Sequence, residues 1–352
     1  MEKDELYMWR CVELARHGLG RVAPNPMVGS VIVHNDHVIG EGYHKHFGQH
    51  HAEINAINSV KDKSLLSEST LYVNLEPCCH YGKTPPCTDQ IINHNIQRVV
   101  IGCVDVYDAV AGKGIAKLRN QGIHVDVGIL KSASLELNKR FFTFHQKNRP
   151  YIILKWAQTV DSFIDIERLP CNHATPTWIT SEKLRMLVHK WRTEEQAIMV
   201  GTNTALMDNP YLNVRDWTGR HPVRVVIDEK LTLSSTLNLF DNTQITFVFN
   251  SLKDKRHENT QWIRTDFKSA QLLQNILEVL KQQGVQSVIV EGGQKLLQAF
   301  IESNLWDEAR IFQGNKFFVA GVKAPAIPAK KFVQTLIEHE TIYWVKNPSN
   351  PY

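Results

Sequence analysis

The segment Thr70–Cys87 reads TLYVNLEPCCHYGKTPPC. Its first six residues, Thr70 to Leu75, form an apolar run that predicts a strand, and Thr88 to His94, just past Cys87, is expected to be a helix. Upstream, His51 to Ser59 (HAEINAINS) reads as another helix, which places a histidine, a glutamate two residues on and two cysteines at the ends of successive elements. Working outward, Leu6, Trp9, Val12, Leu14 and Ala15 fall near helical spacing, so residues 5 to 18 are expected to form an amphipathic helix capped by Gly18. After Pro24-Asn25-Pro26 comes the β-branched run Val28 to Val33, which turns at Asn35-Asp36 and returns as Val38 to Tyr43. Strands at Arg98 to Cys103 and His124 to Gly128 complete a three-layer α/β domain that closes near Asn138-Lys139.

At 352 residues the chain exceeds what one core usually serves, so two domains are expected, at 1–147 and 148–352. The polar stretch His145 to Pro150 (HQKNRP) reads as the linker. Beyond it come a strand at Tyr151 to Trp156, a helix at Ser181 to Trp191, and strands at Ala197 to Val200, Val223 to Ile227 and Ile245 to Asn250. A helix at Ala270 to Gln283, a strand at Ser287 to Val290, Glu291-Gly292-Gly293 and a helix at Gln294 to Ser303 follow, making a second α/β domain. No repeat links the halves. A formal charge of +4 with no run of five Lys or Arg lacks the footprint of a duplex-DNA binder, so no nucleic-acid partner is expected. A charged N-terminus and the absence of a stretch of about 18 apolar residues predict no membrane partner and a cytoplasmic location. The six cysteines then favour metal binding or burial over disulfides, with Cys11, Cys103 and Cys171 read as plain buried residues.

His51, Cys78 and Cys87 supply one imidazole and two thiolates, the three-ligand set that a catalytic Zn2+ needs while keeping a fourth position for water. Bound metal lowers the pKa of that water. Glu53, at the start of the same helix as His51, is placed to take the water's proton and pass it to a leaving amine. Cysteines at helix starts have their thiolate form favoured by the helix dipole. This H-x-E…P-C…C arrangement is that of zinc deaminases, in which the Glu is not a ligand. The bland alternatives are a core histidine with two buried thiols, or a structural zinc with Cys79 or His80 as fourth ligand. His50 lacks the Glu two places on. Tyr81-Gly82-Lys83-Thr84 resembles the end of a phosphate-binding loop, but Pro77 stands where the first glycine is required.

Eight residues separate Cys78 from Cys87, where nucleoside and nucleic-acid deaminases have two. With Pro24 to Gly29, Gly42-Tyr43-His44, His51-Ala52-Glu53, Leu75 to Cys87 and Val110 to Gly114, the chain resembles the bifunctional riboflavin-biosynthesis family, diaminohydroxyphosphoribosylaminopyrimidine deaminase / 5-amino-6-(5-phosphoribosylamino)uracil reductase. The resemblance implies a cytidine-deaminase-like N-terminal fold and a small-molecule substrate, a phosphorylated pyrimidine whose 2-amino group is exchanged for oxygen. It places Asn25, His44, His80 and Lys83 around that substrate. Cys79 departs from the family's usual serine. The competing enzyme reading is a nucleoside or tRNA deaminase with an accessory nucleotide-binding domain, against which the slight charge and the long inter-cysteine loop both argue. A non-enzymatic zinc-stabilised binding module is the third reading. Oligomeric state is not legible, and a homo-oligomer is compatible with the sequence.

In the second half, a strand, Gly292-Gly293 and a helix present free amides that suit a phosphate, and Gly201-Thr202-Asn203-Thr204 reads either as a dinucleotide loop or as a turn. These segments, with Asp208-Asn209-Pro210 and Val225 to Asp228, resemble the reductase half of the same family. That implies a fold similar to dihydrofolate reductase and NADPH as hydride donor. By that likeness Trp178, Thr204, Asp208 and Gly293, Gln294, Lys295, Leu296, Leu297, Gln298 and Ala299 face the cofactor. Lys155, Arg192, Leu212, Arg215 and Glu291 then face the substrate, and the two arginine forks suit a ribose phosphate. Lys155 and Asp208 are the candidates to assist proton transfer. Asp161-Ser162 in place of Asp-Gly, a longer segment from Phe163 to Pro176, and Pro176 itself depart from the pattern.

Overall fold

A computed structural model describes residues 2–81, 85–107, 110–168, 176–328 and 332–349. Contacts divide the chain into two compact units that meet between Asn148 and Arg149. In the N-terminal unit the order is α1 (Lys3–Arg16), β1 (Gly29–His34), β2 (His37–Tyr43), α2 (Ala52–Ser59), β3 (Thr70–Leu75), α3 (Cys87–Asn93), β4 (Arg98–Cys103), α4 (Lys113–Asn120), β5 (His124–Val127), α5 (Lys131–Leu137) and α6 (Lys139–Gln146). The sheet runs β2-β1-β3-β4-β5. Asn35 and Asp36 both adopt positive φ, as a two-residue hairpin turn requires, and join β1 to β2 antiparallel. From β3 onward the pairing is parallel, so Val99-Val100-Ile101 is apolar on both faces. One face packs Met8, Cys11 and Leu14 of α1, and the other packs Ala56 and Ile57 of α2, Ile91 of α3 and Leu118 of α4. These are the three layers.

The C-terminal unit contains β6 (Tyr151–Gln158), β7 (Phe163–Asp165), α7 (Glu182–Glu194), β8 (Ala197–Gly201), α8 (Thr202–Asp208), β9 (Val223–Ile227), β10 (Thr246–Asn250), β11 (Lys255–His257), β12 (Thr260–Arg264), α9 (Leu272–Gln282), β13 (Ser287–Gly292), α10 (Gln294–Glu302), β14 (Glu308–Gln313), β15 (Val322–Lys323), β16 (Val333–Ile337) and β17 (Glu340–Lys346). Ten strands form one sheet in the order β11-β12-β10-β9-β8-β13-β6-β14-β17-β16, parallel from β12 to β14. Ile276, Leu280, Leu297 and Phe300 of α9 and α10 cover one face, and Leu184, Val188 and Trp191 of α7 cover the other.

Three expectations change. The first helix ends at Arg16 with His17 as its cap, so Gly18 is not a C-cap. Its small size serves a close approach instead, because a Cβ there would sit 2.9 Å from the His44 carbonyl oxygen. His145 and Gln146 belong to α6, whose Phe141 and Phe142 are buried, so the linker is shorter than the polar run. Gly201 to Thr204 is the start of α8. At Ser162, where the family pattern has glycine, φ is +65°, a conformation a glycine adopts without steric cost.

Helix α2 lies so close to β2 that a Cβ on Gly42 would come within 2.3 Å of the Ala56 nitrogen and 2.6 Å of the Ala52 oxygen. Neither backbone atom can yield without moving the helix. Gly42→Ala is therefore expected to destabilise the N-terminal unit by about 1–3 kcal/mol and to lower zinc content, because α2 begins beside His51. Urea unfolding and metal analysis of the full chain check this, and an unchanged midpoint would contradict the packing argument.

Candidate active sites

The first site lies where β3 and its neighbours end. His51 occupies the N-cap position of α2, Cys78 lies in the loop after β3, and Cys87 is the first residue of α3. Nδ1 of His51 is 3.5 Å from Cys78 Sγ and 3.3 Å from Cys87 Sγ, and the three ligand atoms lie within 4.8 Å of one another. A tetrahedral ion with Zn–N near 2.0 Å and Zn–S near 2.3 Å has an N···S edge of about 3.5 Å, so the donor set fits zinc. Cys78 is not at a helix start. It receives the helix's amide instead, the Cys87 N–H donating to its sulfur at 3.3 Å.

Charge follows from this crowding. The Cys87 thiol, then His51, holds Cys78 as a thiolate with its pKa pulled down to about 4, while Cys78 and burial push Cys87 well above the ordinary thiol range. Hydrogen bonding to Cys78 lifts His51 to about 9. A thiolate, a thiol and an imidazole converging on one point are three donors whose protons a divalent cation displaces on binding. Glu53 is buried, which raises its pKa to about 7, and its Oε2 has no hydrogen-bond partner.

Two further expected residues join this cluster. The His44 ring stands edge-on to that of His51 with centroids 5.3 Å apart. Its Nδ1 donates to the His50 carbonyl at 3.0 Å, which leaves Nε2 to accept from Asn25 Nδ2 at 3.1 Å, and burial keeps the imidazole neutral. His80 is exposed, its ring 6.2 Å from that of Tyr107, and Lys83 lies outside the described residues, as does Cys171. Supporting residues were not visible in the sequence. Buried Asn74 and Asn138 grip Met27 and Gly29, Asn138 Oδ1 accepting from Met27 N and Asn74 Oδ1 from Gly29 N, which fixes the segment bearing Asn25. Buried Glu76 accepts from the backbone N–H groups of Asp105, Gly112, Gly114 and Ile115. The last two belong to the first turn of α4, where a carboxylate is favoured.

In the second unit the end of β13 carries Glu291, whose carboxylate takes a two-pronged bond from Arg192 at 2.9 and 2.8 Å and lies 3.9 Å from Lys155 Nζ. Burial alone would raise the Glu291 pKa, but Arg192 and then Lys155 hold it at about 2. Burial lowers the Lys155 pKa. Arg192 thus spends its fork on Glu291, and its Nη1 donates to the Asn213 carbonyl. Arg215 remains exposed, with Nη1 on Asn213 Oδ1, while Leu212 is buried with φ +49°. Thr204 and the cis Gly292–Gly293 peptide come together, since a Cβ on Gly293 would meet Thr204 Oγ1 at 3.0 Å.

The first intrahelical bonds of α10 come from Leu296 and Leu297, so the Gln294 and Lys295 amides precede the ladder. Leu297 sends its side chain into the core and Leu296 packs against it, so only their backbone can face a ligand. Gln298 Oε1 accepts from Ala326 N, and Ala299 follows inside the helix. Trp178 is exposed beneath the Arg185 guanidinium, 5.2 Å away. Asp208 Oδ1 is 2.9 Å from Arg168, a residue the sequence did not single out, and burial raises its pKa against that charge.

Comparison with known proteins follows the same division. A family model for the cytidine and deoxycytidylate deaminase zinc-binding region matches residues 1–103, and one for the RibD C-terminal domain matches residues 150–342. The chain is 36% identical to the riboflavin biosynthesis protein RibD of Aquifex aeolicus over 95% of its own length and 93% of that protein's. Against RibD of Escherichia coli it is 33% identical over 88% and 87%. The crystal structure of a diaminohydroxyphosphoribosylaminopyrimidine deaminase / 5-amino-6-(5-phosphoribosylamino)uracil reductase from Thermotoga maritima is 38% identical with a TM-score of 0.88, each chain covered to 98%.

The Glu291 carboxyl, held at about 2 against an ordinary value near 4.5, contributes stability that is fully present above pH 4.5 and is lost as pH falls toward 2. The loss is expected to reach about 3 kcal/mol. Unfolding midpoints measured from pH 5 to pH 2 test this, the slope being expected to flatten in Glu291→Gln.

Proposed function

The chain belongs to the RibD family of riboflavin biosynthesis proteins, a bifunctional deaminase and reductase, and from that premise we propose which of its residues carry each step. The match over residues 150–342 removes the reading of the second half as an accessory domain of a nucleoside or tRNA deaminase. Residues 1–147 carry the deamination of a diaminopyrimidinone ribosylamine phosphate, and residues 148–352 the NADPH-dependent reduction of its ribosyl group to ribityl.

The observation that supports the first assignment is the buried, partnerless Glu53 Oε2 beside the His51, Cys78 and Cys87 donor set. Zinc held by those three side chains supplies a cation that acidifies water. Glu53 takes the proton from the attacking water and delivers it to the departing amine, its buried Oε2 having no hydrogen-bond partner to compete with that proton. With its amide nitrogen on His44, Asn25 keeps its carbonyl oxygen to accept from an N–H of the pyrimidine. His44 stays neutral and orients that amide.

In the reductase unit, the amides that open α10 and Thr204 hold the cofactor phosphates, and Trp178 lies against the nicotinamide end. NADPH supplies the hydride. Lys155 is the better proton donor of the two candidates, because burial lowers its pKa and its ammonium lies by Glu291, whereas Asp208 is engaged by Arg168. Arg215, with its guanidinium at the surface, receives the substrate's phosphate. The paired Arg192 and Glu291, with Leu212, complete the set that faces the substrate.

Glu53→Gln is expected to keep stoichiometric zinc while ammonia release falls by about 10²–10⁴-fold. Oxidation of NADPH should persist in that variant when the deaminated intermediate is supplied directly. A variant that still releases ammonia at the wild-type rate would remove Glu53 from the chemistry. Wild-type protein that releases ammonia without consuming NADPH would remove the reductase assignment.

A further inference from the structure

Helix α7 presents Arg185, His189 and Arg192 at positions i, i+4 and i+7, one face of the helix. Each meets the short segment that carries Arg215. Arg192 Nη1 donates to the Asn213 carbonyl at 3.0 Å, the Arg215 N–H donates to His189 Nδ1 at 3.1 Å, and Arg185 Nε donates to Asp216 Oδ2 at 2.9 Å. His189 is 1% exposed, and its other nitrogen, Nε2, faces Asp216 Oδ2 at 3.5 Å.

We propose that His189 is a positioning residue of the reductase, which fixes the main chain at Arg215 so that the guanidinium is aimed at the substrate's phosphate. This rests on the reading of Arg215 as the phosphate contact. An amide N–H can only donate, so Nδ1 must carry a lone pair and the ring must be the neutral Nε2–H tautomer. Asp216, acceptor-only when ionised, favours the proton at Nε2 and is itself held by Arg185. Burial, then the charges of Arg192 and Arg215, keeps the ring unprotonated by lowering its pKa to about 4. Arg185 also lies over the Trp178 ring, so one helix face serves both the cofactor side and the phosphate side of the site.

Steady-state kinetics of the full-length protein with the deaminated ribosylamino pyrimidine, phosphorylated and dephosphorylated, test the proposal. His189→Leu is expected to raise KM for the phosphorylated substrate about tenfold, with KM for NADPH and for the dephosphorylated substrate unchanged and kcat within about twofold. His189→Asn places an amide oxygen near the Nδ1 position and is expected to restore most of that KM. Asp216→Ala, which frees the tautomer without touching the ring, is expected to raise the same KM about threefold and stands in if His189→Leu does not fold. Arg215→Ala combined with His189→Leu should be no worse than Arg215→Ala alone. If Arg215→Ala leaves KM for the phosphorylated substrate unchanged, the underlying phosphate reading fails. If Arg215→Ala raises it but neither His189→Leu nor Asp216→Ala does, or if they affect both substrates equally, the positioning role fails while the phosphate reading stands.

Discussion

Two sulfurs and an imidazole nitrogen are held within 4.8 Å of one another as a ready donor set for a cation, and the N-terminal unit is built to keep them there. Each ligand sits at the boundary of a regular element: the N-cap of α2, the loop leaving β3 and the first residue of α3. The sheet sets the spacing between those boundaries, and α2 is pressed onto β2 at Gly42 with no room for a methyl group. The ligand set therefore inherits the rigidity of the layers beneath it. The crowding that makes the thiolate of Cys78 and the high pKa of Glu53 comes from the same packing.

The reductase unit solves a comparable problem with charge instead of metal. Glu291, Arg192 and Lys155 are all drawn out of water, and the carboxylate lies between two cations. Removing one member of such a group leaves another buried without its counter-charge, which is strongly destabilising. The price is that Arg192 commits its fork to Glu291, whereas Arg215 leaves its guanidinium at the surface.

Much of this was legible in the residues. His51, Glu53, Cys78 and Cys87 announce their chemistry through type and spacing, and strands such as Thr70–Leu75, Arg98–Cys103 and Val223–Ile227 coincide with their apolar runs. What stayed hidden depends on pairing across the fold. β14, which no sequence pattern marked, carries Glu308 and Arg310, both buried and bonded to each other at 2.7 Å, with the Tyr151 hydroxyl donating to the same glutamate. In α6, Lys139, Arg140, His145 and Gln146 mask an apolar side supplied by Phe141 and Phe142. Asn74, Asn138 and His189 gained their roles only when the backbone groups they bond came near from far along the chain. The likeness to a known family located Arg192 and Glu291 but not the bond between them.

Glu76 binds one amide at Asp105 and three more at Gly112, Gly114 and Ile115, so a single carboxylate closes the base of the stretch that runs between those points. The start of α4 is therefore tied directly to the loop that leaves β3. An apolar residue at position 76 would deprive all of these amides of their acceptor at once, loosening two segments far apart in the chain together.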